Sequence, residues 1–94
     1  MEVIIFVEGN VPISKIKEFE SDFDILKKNK KPEGLIASYL LQDTDKKGFY
    51  IIETVWANQE SLDKMGNEQL AVVELFEKSG DRPTVKAYNM LNNI

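Results

Sequence analysis

Residues Gly48 to Met65 read GFYIIETVWANQESLDKM, and this stretch decides the fold. From Phe49 to Ala57 the side chains alternate, with Phe49, Ile51, Glu53 and Val55 on one face and Tyr50, Ile52, Thr54 and Trp56 on the other. A strand that is apolar on both faces needs a cover on each. Asn58 is a good N-cap, so the residues after it turn into a helix that can supply one cover. A chain of 94 residues has little material left for the second. A second copy of the same chain is the expected cover, which makes a homodimer through the sheet faces the first expectation.

Working outward, Asp43-Thr44-Asp45-Lys46-Lys47-Gly48 is a polar, glycine-ended link of hairpin length. It joins this strand to an antiparallel neighbour over Leu35 to Asp43, where Leu35, Ala37, Tyr39 and Leu41 alternate with Ile36, Ser38 and Leu40. Glu2 to Glu8 (EVIIFVE) is a β-branched and aromatic run with Val3, Ile5 and Val7 opposite Ile4 and Phe6, read as a buried central strand. After the turn cluster Gly9 to Pro12, Ile13, Ile16, Phe19, Phe23 and Leu26 recur at helical spacing through about Lys28. Leu62, Met65, Leu70, Val73 and Phe76 mark a second helical region from Gln59 to about Lys78, with an interruption expected at Gly66-Asn67. Thr84 to Leu91 gives the last strand, with Val85, Ala87 and Leu91 opposite Tyr88 and Met90. The order βαββαβ predicts one α+β domain over 1–94, a ferredoxin-like four-stranded antiparallel sheet with both helices on one face.

Composition removes several classes of function. A formal charge of -4 is the wrong sign for a phosphate backbone or an anionic lipid surface, so neither nucleic acid nor membrane is an expected partner. The one basic run, Lys27 to Lys31 (KKNKK), ends a predicted helix, where cations meet the negative end of the helix dipole. Without cysteine there is no disulfide and no thiolate chemistry. Without histidine the chain lacks the commonest general base near neutral pH, the commonest metal ligand and the usual haem ligand. No metal site and no cofactor are expected. The first residues begin a strand with no charged and apolar leader pattern, so a cytoplasmic location is the default expectation. Glycine-rich phosphate loops and nucleophile elbows are missing as well, since Glu60-Ser61-Leu62 has no flanking glycines.

The βαββαβ order, the length, and the run Glu53-Thr54-Val55-Trp56-Ala57-Asn58-Gln59-Glu60-Ser61-Leu62 together resemble the antibiotic biosynthesis monooxygenase (ABM) family over nearly the whole chain. The resemblance implies a dimeric α+β barrel in which two sheets face each other, with a pocket in each subunit between sheet and helices. It implies cofactor-independent oxygenation of a hydrophobic aromatic or quinol-type molecule, a substrate that forms its own stabilised carbanion. Members often carry a histidine in the helix after strand three, where this chain has Met65. The haem-degrading branch resembles an Asn, Trp and His constellation of which this chain supplies only Trp56, because Asn10 lies too near the helix start.

Within that frame Trp56 and Glu53 are the candidate catalytic residues. Tyr50, on the face of Trp56, is a candidate pocket wall, while Tyr39, Tyr88 and Asn89 are candidate hydrogen-bonding groups from neighbouring strands, and Met65 takes the histidine's place. Each has a plainer reading: a strand-end tryptophan is a packing anchor and a strand tyrosine packs with its hydroxyl at the rim. Glu53 interrupts an apolar face, so it either faces a cavity as a general base or pairs with Lys86 or Arg82. The alternative to an enzyme is a non-catalytic dimeric module that binds a small apolar ligand or only assembles.

Overall fold

The computed structural model describes residues 1–29 and 31–93, and of residues 66–70 the backbone only. Strand β1 (Val3–Asn10) is followed by one 3-10 turn (Ile13–Lys15) and helix α1 (Ile16–Lys28). Strands β2 (Leu35–Gln42) and β3 (Phe49–Trp56) form the hairpin, helices α2 (Gln59–Lys64) and α3 (Gly66–Lys78) come next, and β4 (Thr84–Asn89) closes the chain. The sheet order is β2-β3-β1-β4, antiparallel throughout. This is the ferredoxin-like arrangement that the βαββαβ order predicts.

Local chemistry accounts for the boundaries. The Asp43 carboxylate accepts the backbone N–H groups of Asp45 and Lys46 at 2.8 and 2.9 Å, which folds the hairpin loop. Those two bonds, Asp45 first, hold its carboxyl below the usual carboxylate range. Asn58 Oδ1 accepts the Ser61 N–H at 2.8 Å and starts α2. The interruption expected at Gly66-Asn67 falls one residue earlier, at Met65, which leaves helical geometry between α2 and α3. Gly34 has φ +87°, and a Cβ there would overlap Ser61, so only glycine lets the loop before β2 lie against α2.

The core lies between the helices and one face of the two central strands. Val3, Ile5 and Val7 of β1 and Tyr50, Ile52 and Trp56 of β3 pack against Phe19 and Phe23 of α1 and Val72 and Phe76 of α3. Phe19 holds the layers together, with its ring 5.2 Å from Tyr50 and 4.9 Å from Phe76. Two expectations are corrected. Ile13 leaves the helix face because its turn is 3-10, and it is 72% exposed. The last strand, expected over Thr84 to Leu91, ends at Asn89, and β4 is an edge strand every residue of which is exposed. Leu70 lies outside the described side chains.

The opposite face of the sheet has no helix on it. Ile4 and Phe6 of β1, Ile51 and Val55 of β3, Tyr39 and Leu41 of β2, and Tyr88 of β4 share it by register. Tyr39 and Tyr88 are about half exposed, and Tyr88 meets Phe6 edge-on with centroids 5.6 Å apart.

Candidate functional site

The sheet and helices do not close completely. Between β2, β3, the end of α1 and α3 they leave a cavity of about 240 Å³. Phe23 and Leu26 of α1 and Val72 of α3 line it from above, and Leu35, Ala37, Ser38, Thr54 and Trp56 from the sheet. Lys27, Asn29, Lys31 and Pro32, from the end of α1 and the loop after it, complete the lining. Its wall is mainly apolar, which is the character of a small-molecule site.

Strand alternation builds the floor. Thr54 and Trp56 are two residues apart on the helix-facing side of β3, and Ser38 on β2 is the register partner of Thr54. Trp56 is 1% exposed and Thr54 4%. The indole Nε1–H of Trp56 donates to Thr54 Oγ1 at 3.0 Å, which fixes the ring and satisfies its only polar atom. A hydroxyl has one proton of its own to give, and no described residue accepts that of Thr54. Thr54 is therefore a buried donor on the cavity lining.

A β-bulge shapes the rim. The register between β2 and β3 shifts between Leu35 and Ala37, so Ile36 is the extra residue. Its carbonyl accepts the Lys31 ammonium at 2.6 Å, tying the loop after α1 to the start of β2 beside the cavity.

Of the residues singled out from sequence, Trp56 is the one that lines this cavity. Glu53 is on the opposite face of the sheet, across from Phe6 and Tyr39. It does not pair with Lys86, whose ammonium instead meets Glu8 at 3.2 Å. That contact, led by the hydrogen bond, raises the Lys86 pKa. Tyr39 and Tyr88 also point away from the cavity by register. Asn89 is exposed at the end of β4. Met65 packs against the core at the junction of α2 and α3. Tyr50 is buried on the Trp56 side, three pleat repeats away, and its hydroxyl donates to Glu20 at 2.5 Å. Burial first, and then the Glu20 carboxylate, push its pKa up to about 12.

Sequence reasoning passed over Thr54, Ser38, Lys27 and Lys31 as site residues. Thr54 was legible as the one polar side chain on the helix-facing side of β3 apart from the tyrosine hydroxyl. The lysines were noticed as a helix ending, and only the loop's return to β2 brings them to a cavity. Among the described residues no group of three or more carboxylate, histidine or cysteine side chains is placed to hold a metal ion, and no helix is long and apolar enough to cross a membrane.

No protein-family model matches the sequence, and no curated protein does. Solved structures match it closely in shape. SnoaB, a cofactor-independent oxygenase from Streptomyces nogalater, superposes with a TM-score of 0.76 at 18% identity, over 99% of this chain and 96% of that one. A proposed antibiotic biosynthesis monooxygenase from Deinococcus radiodurans gives 0.78 at 13% identity, over 98% and 95%. A conserved protein from Methanosarcina mazei Go1 gives 0.77 at 18% identity, over 94% and 91%. The chain has their fold. Within this ferredoxin-like fold, the likeness extends over nearly the whole of both chains.

Proposed function

We propose that this chain is a small ABM-type protein that binds one hydrophobic aromatic molecule per subunit in the Trp56 cavity, and that it is a cofactor-independent monooxygenase for a quinol-type substrate. The observation that carries the reading is a cavity of about 240 Å³ with a buried indole on its wall. An apolar cavity of about 150 Å³ holds benzene, so this volume suits one substituted ring or two fused rings. Trp56 offers a flat, fixed surface for such a ring, and the Thr54 hydroxyl a donor for a phenol or enol oxygen. Oxygenation without a cofactor then draws its electrons from the substrate: a ring CH2 and O2 become a carbonyl and water, through the substrate's own carbanion.

The homodimer belongs to the same proposal. The uncovered sheet face carries Phe6, Ile51, Tyr39, Leu41 and Tyr88, and an identical face closing on it gives the dimeric α+β barrel. Glu53 would then lie inside the paired sheets, not beside the aromatic ligand.

One observation favours a second reading, a binding module without chemistry. None of the described cavity-lining residues is a carboxylate, so among them no acidic side chain is placed to take a substrate proton. Oxygen uptake separates the two. With a quinol or small hydroxynaphthalene substrate, the monooxygenase consumes O2 at a rate that falls sharply in Trp56→Ala and stays unchanged in Glu53→Gln. A binding module shows no uptake above buffer, yet its melting temperature rises with ligand.

A further inference from the structure

Among the described residues, the charged side chains on the cavity lining are all of one sign. Lys27 and Lys31 are there, with no carboxylate among the described lining residues, in a chain whose net charge is -4. Both come from the basic run Lys27 to Lys31, of which Lys30 lies outside the described residues. Nothing about ending a helix requires Lys31 to return to the sheet, because α1 already stops at Lys28. It does return, and its ammonium is fixed by the Ile36 carbonyl at the bulge, 2.6 Å away. A hydrogen bond to a neutral carbonyl does not itself neutralise the positive charge. Among the described residues Lys27 has a single loose, exposed contact, with Asp24 at 3.9 Å. The same cavity is lined by Thr54, a residue 4% exposed, whose hydroxyl has no described acceptor for its proton.

We infer that the cavity takes a small aromatic anion: a ring against Trp56, an oxygen on the ring accepting from Thr54, and an acidic group directed to Lys27 and Lys31. The class is a one- or two-ring aromatic carboxylate that also carries a phenol or carbonyl oxygen. This rests on the reading of the cavity as a ligand site and adds the charge of the ligand. It also gives the basic run a role that the overall charge of the protein opposes: locally inverted potential draws an anion to a mostly acidic molecule.

Trp56 is the only tryptophan, so its indole N–H gives a single resolved cross-peak in a 15N correlation spectrum and reports directly on the cavity. The ¹⁵N-labelled protein is titrated with 4-hydroxybenzoate and, as the uncharged counterpart of the same shape, 4-hydroxybenzamide. At low salt the acid binds on the order of five-fold more tightly, as expected for two solvent-exposed cations, and the preference shrinks in ~0.5 M sodium chloride, where the screening length is about 4 Å. Lys27→Gln/Lys31→Gln removes the preference, while Lys27→Arg/Lys31→Arg keeps it, and Thr54→Val weakens both ligands by a similar factor. Equal affinity for the acid and the amide, or a preference that survives loss of both lysines, overturns the anion inference and leaves the ligand cavity standing. If neither compound moves the indole peak at millimolar concentration, the ligand-site reading fails and this inference falls with it.

Discussion

Replacing Thr54 by valine tests the Thr54–Trp56 hydrogen bond in the floor of the cavity. Valine keeps the branched shape and removes the hydroxyl, so packing changes little while the Trp56 N–H loses its acceptor. Both residues are buried, at 1% and 4% exposure, so bulk water does not replace the lost bond. An orphaned buried donor costs about 1–3 kcal/mol, nearer the low end when a water enters the cavity to take the proton. For a domain of this size 1 kcal/mol moves the melting temperature by roughly 4–8 °C, so a mid-range loss of about 2 kcal/mol lowers it by roughly 8–16 °C. The measurement is thermal unfolding by circular dichroism at one fixed protein concentration, because any association makes the midpoint concentration-dependent. Trp56→Phe supplies the control, since it deletes the donor. In that background Thr54→Val has no N–H to orphan, and the double-mutant cycle shows a coupling of about 1–2 kcal/mol. Equal destabilisation by Thr54→Val in both backgrounds would refute the bond as the reason Trp56 is held in place.

Further expectations follow from other parts of the molecule. Tyr50 titrates late: in a spectrophotometric titration of the three tyrosines, one ionises near pH 12, and Tyr50→Phe abolishes that step. Because its folded pKa lies above the ordinary value of 10.0, the Tyr50 contribution to stability is fully present below pH 10 and is lost between about 10 and 12, so wild type loses stability relative to Tyr50→Phe across that window. Gly34→Ala forces a side chain into both a left-handed φ and the Ser61 side chain, and lowers stability in urea unfolding by more than about 1 kcal/mol. Ile52→Ala, at a fully buried position in the central strand, costs about 2–5 kcal/mol in the same assay. Phe6→Glu on the uncovered face turns a dimer into a monomer in sedimentation velocity with little change in the far-ultraviolet spectrum, whereas a wild type that already sediments as a monomer would remove the basis for the paired-sheet proposal.

The central strands were readable because their chemistry is local: β-branched alternation, a polar glycine-ended hairpin link and an asparagine cap each fix a boundary from within a few residues. The edges were harder. Val85 sits in an alternating pattern, yet its burial depends on how far helices elsewhere in the chain extend, which no period reveals. The site divides in the same way. Trp56 was found because a large aromatic at a strand end is conspicuous, and Glu53 because a charge interrupts an apolar face. Which face carries a cavity, however, is set by incomplete packing of α1 and α3 on the sheet, so Glu53, Tyr39 and Tyr88 fell on the other side from it. Thr54 gains its interest only from its neighbour's indole, and Lys31 only from a register shift.

That register shift at Ile36 also bears on how copies of the chain can accumulate. An outermost strand with a regular row of free amides and carbonyls invites another strand to zip onto it, and repetition of that step yields ribbons. On β2 the spacing is broken by the extra residue, and the carbonyl at the break is already occupied by a lysine ammonium. Growth from the β2 edge is thereby discouraged, while contact through the flat of the sheet stays open. The sheet-face pairing proposed above, by contrast, would close on itself and leave no further surface of that kind to extend.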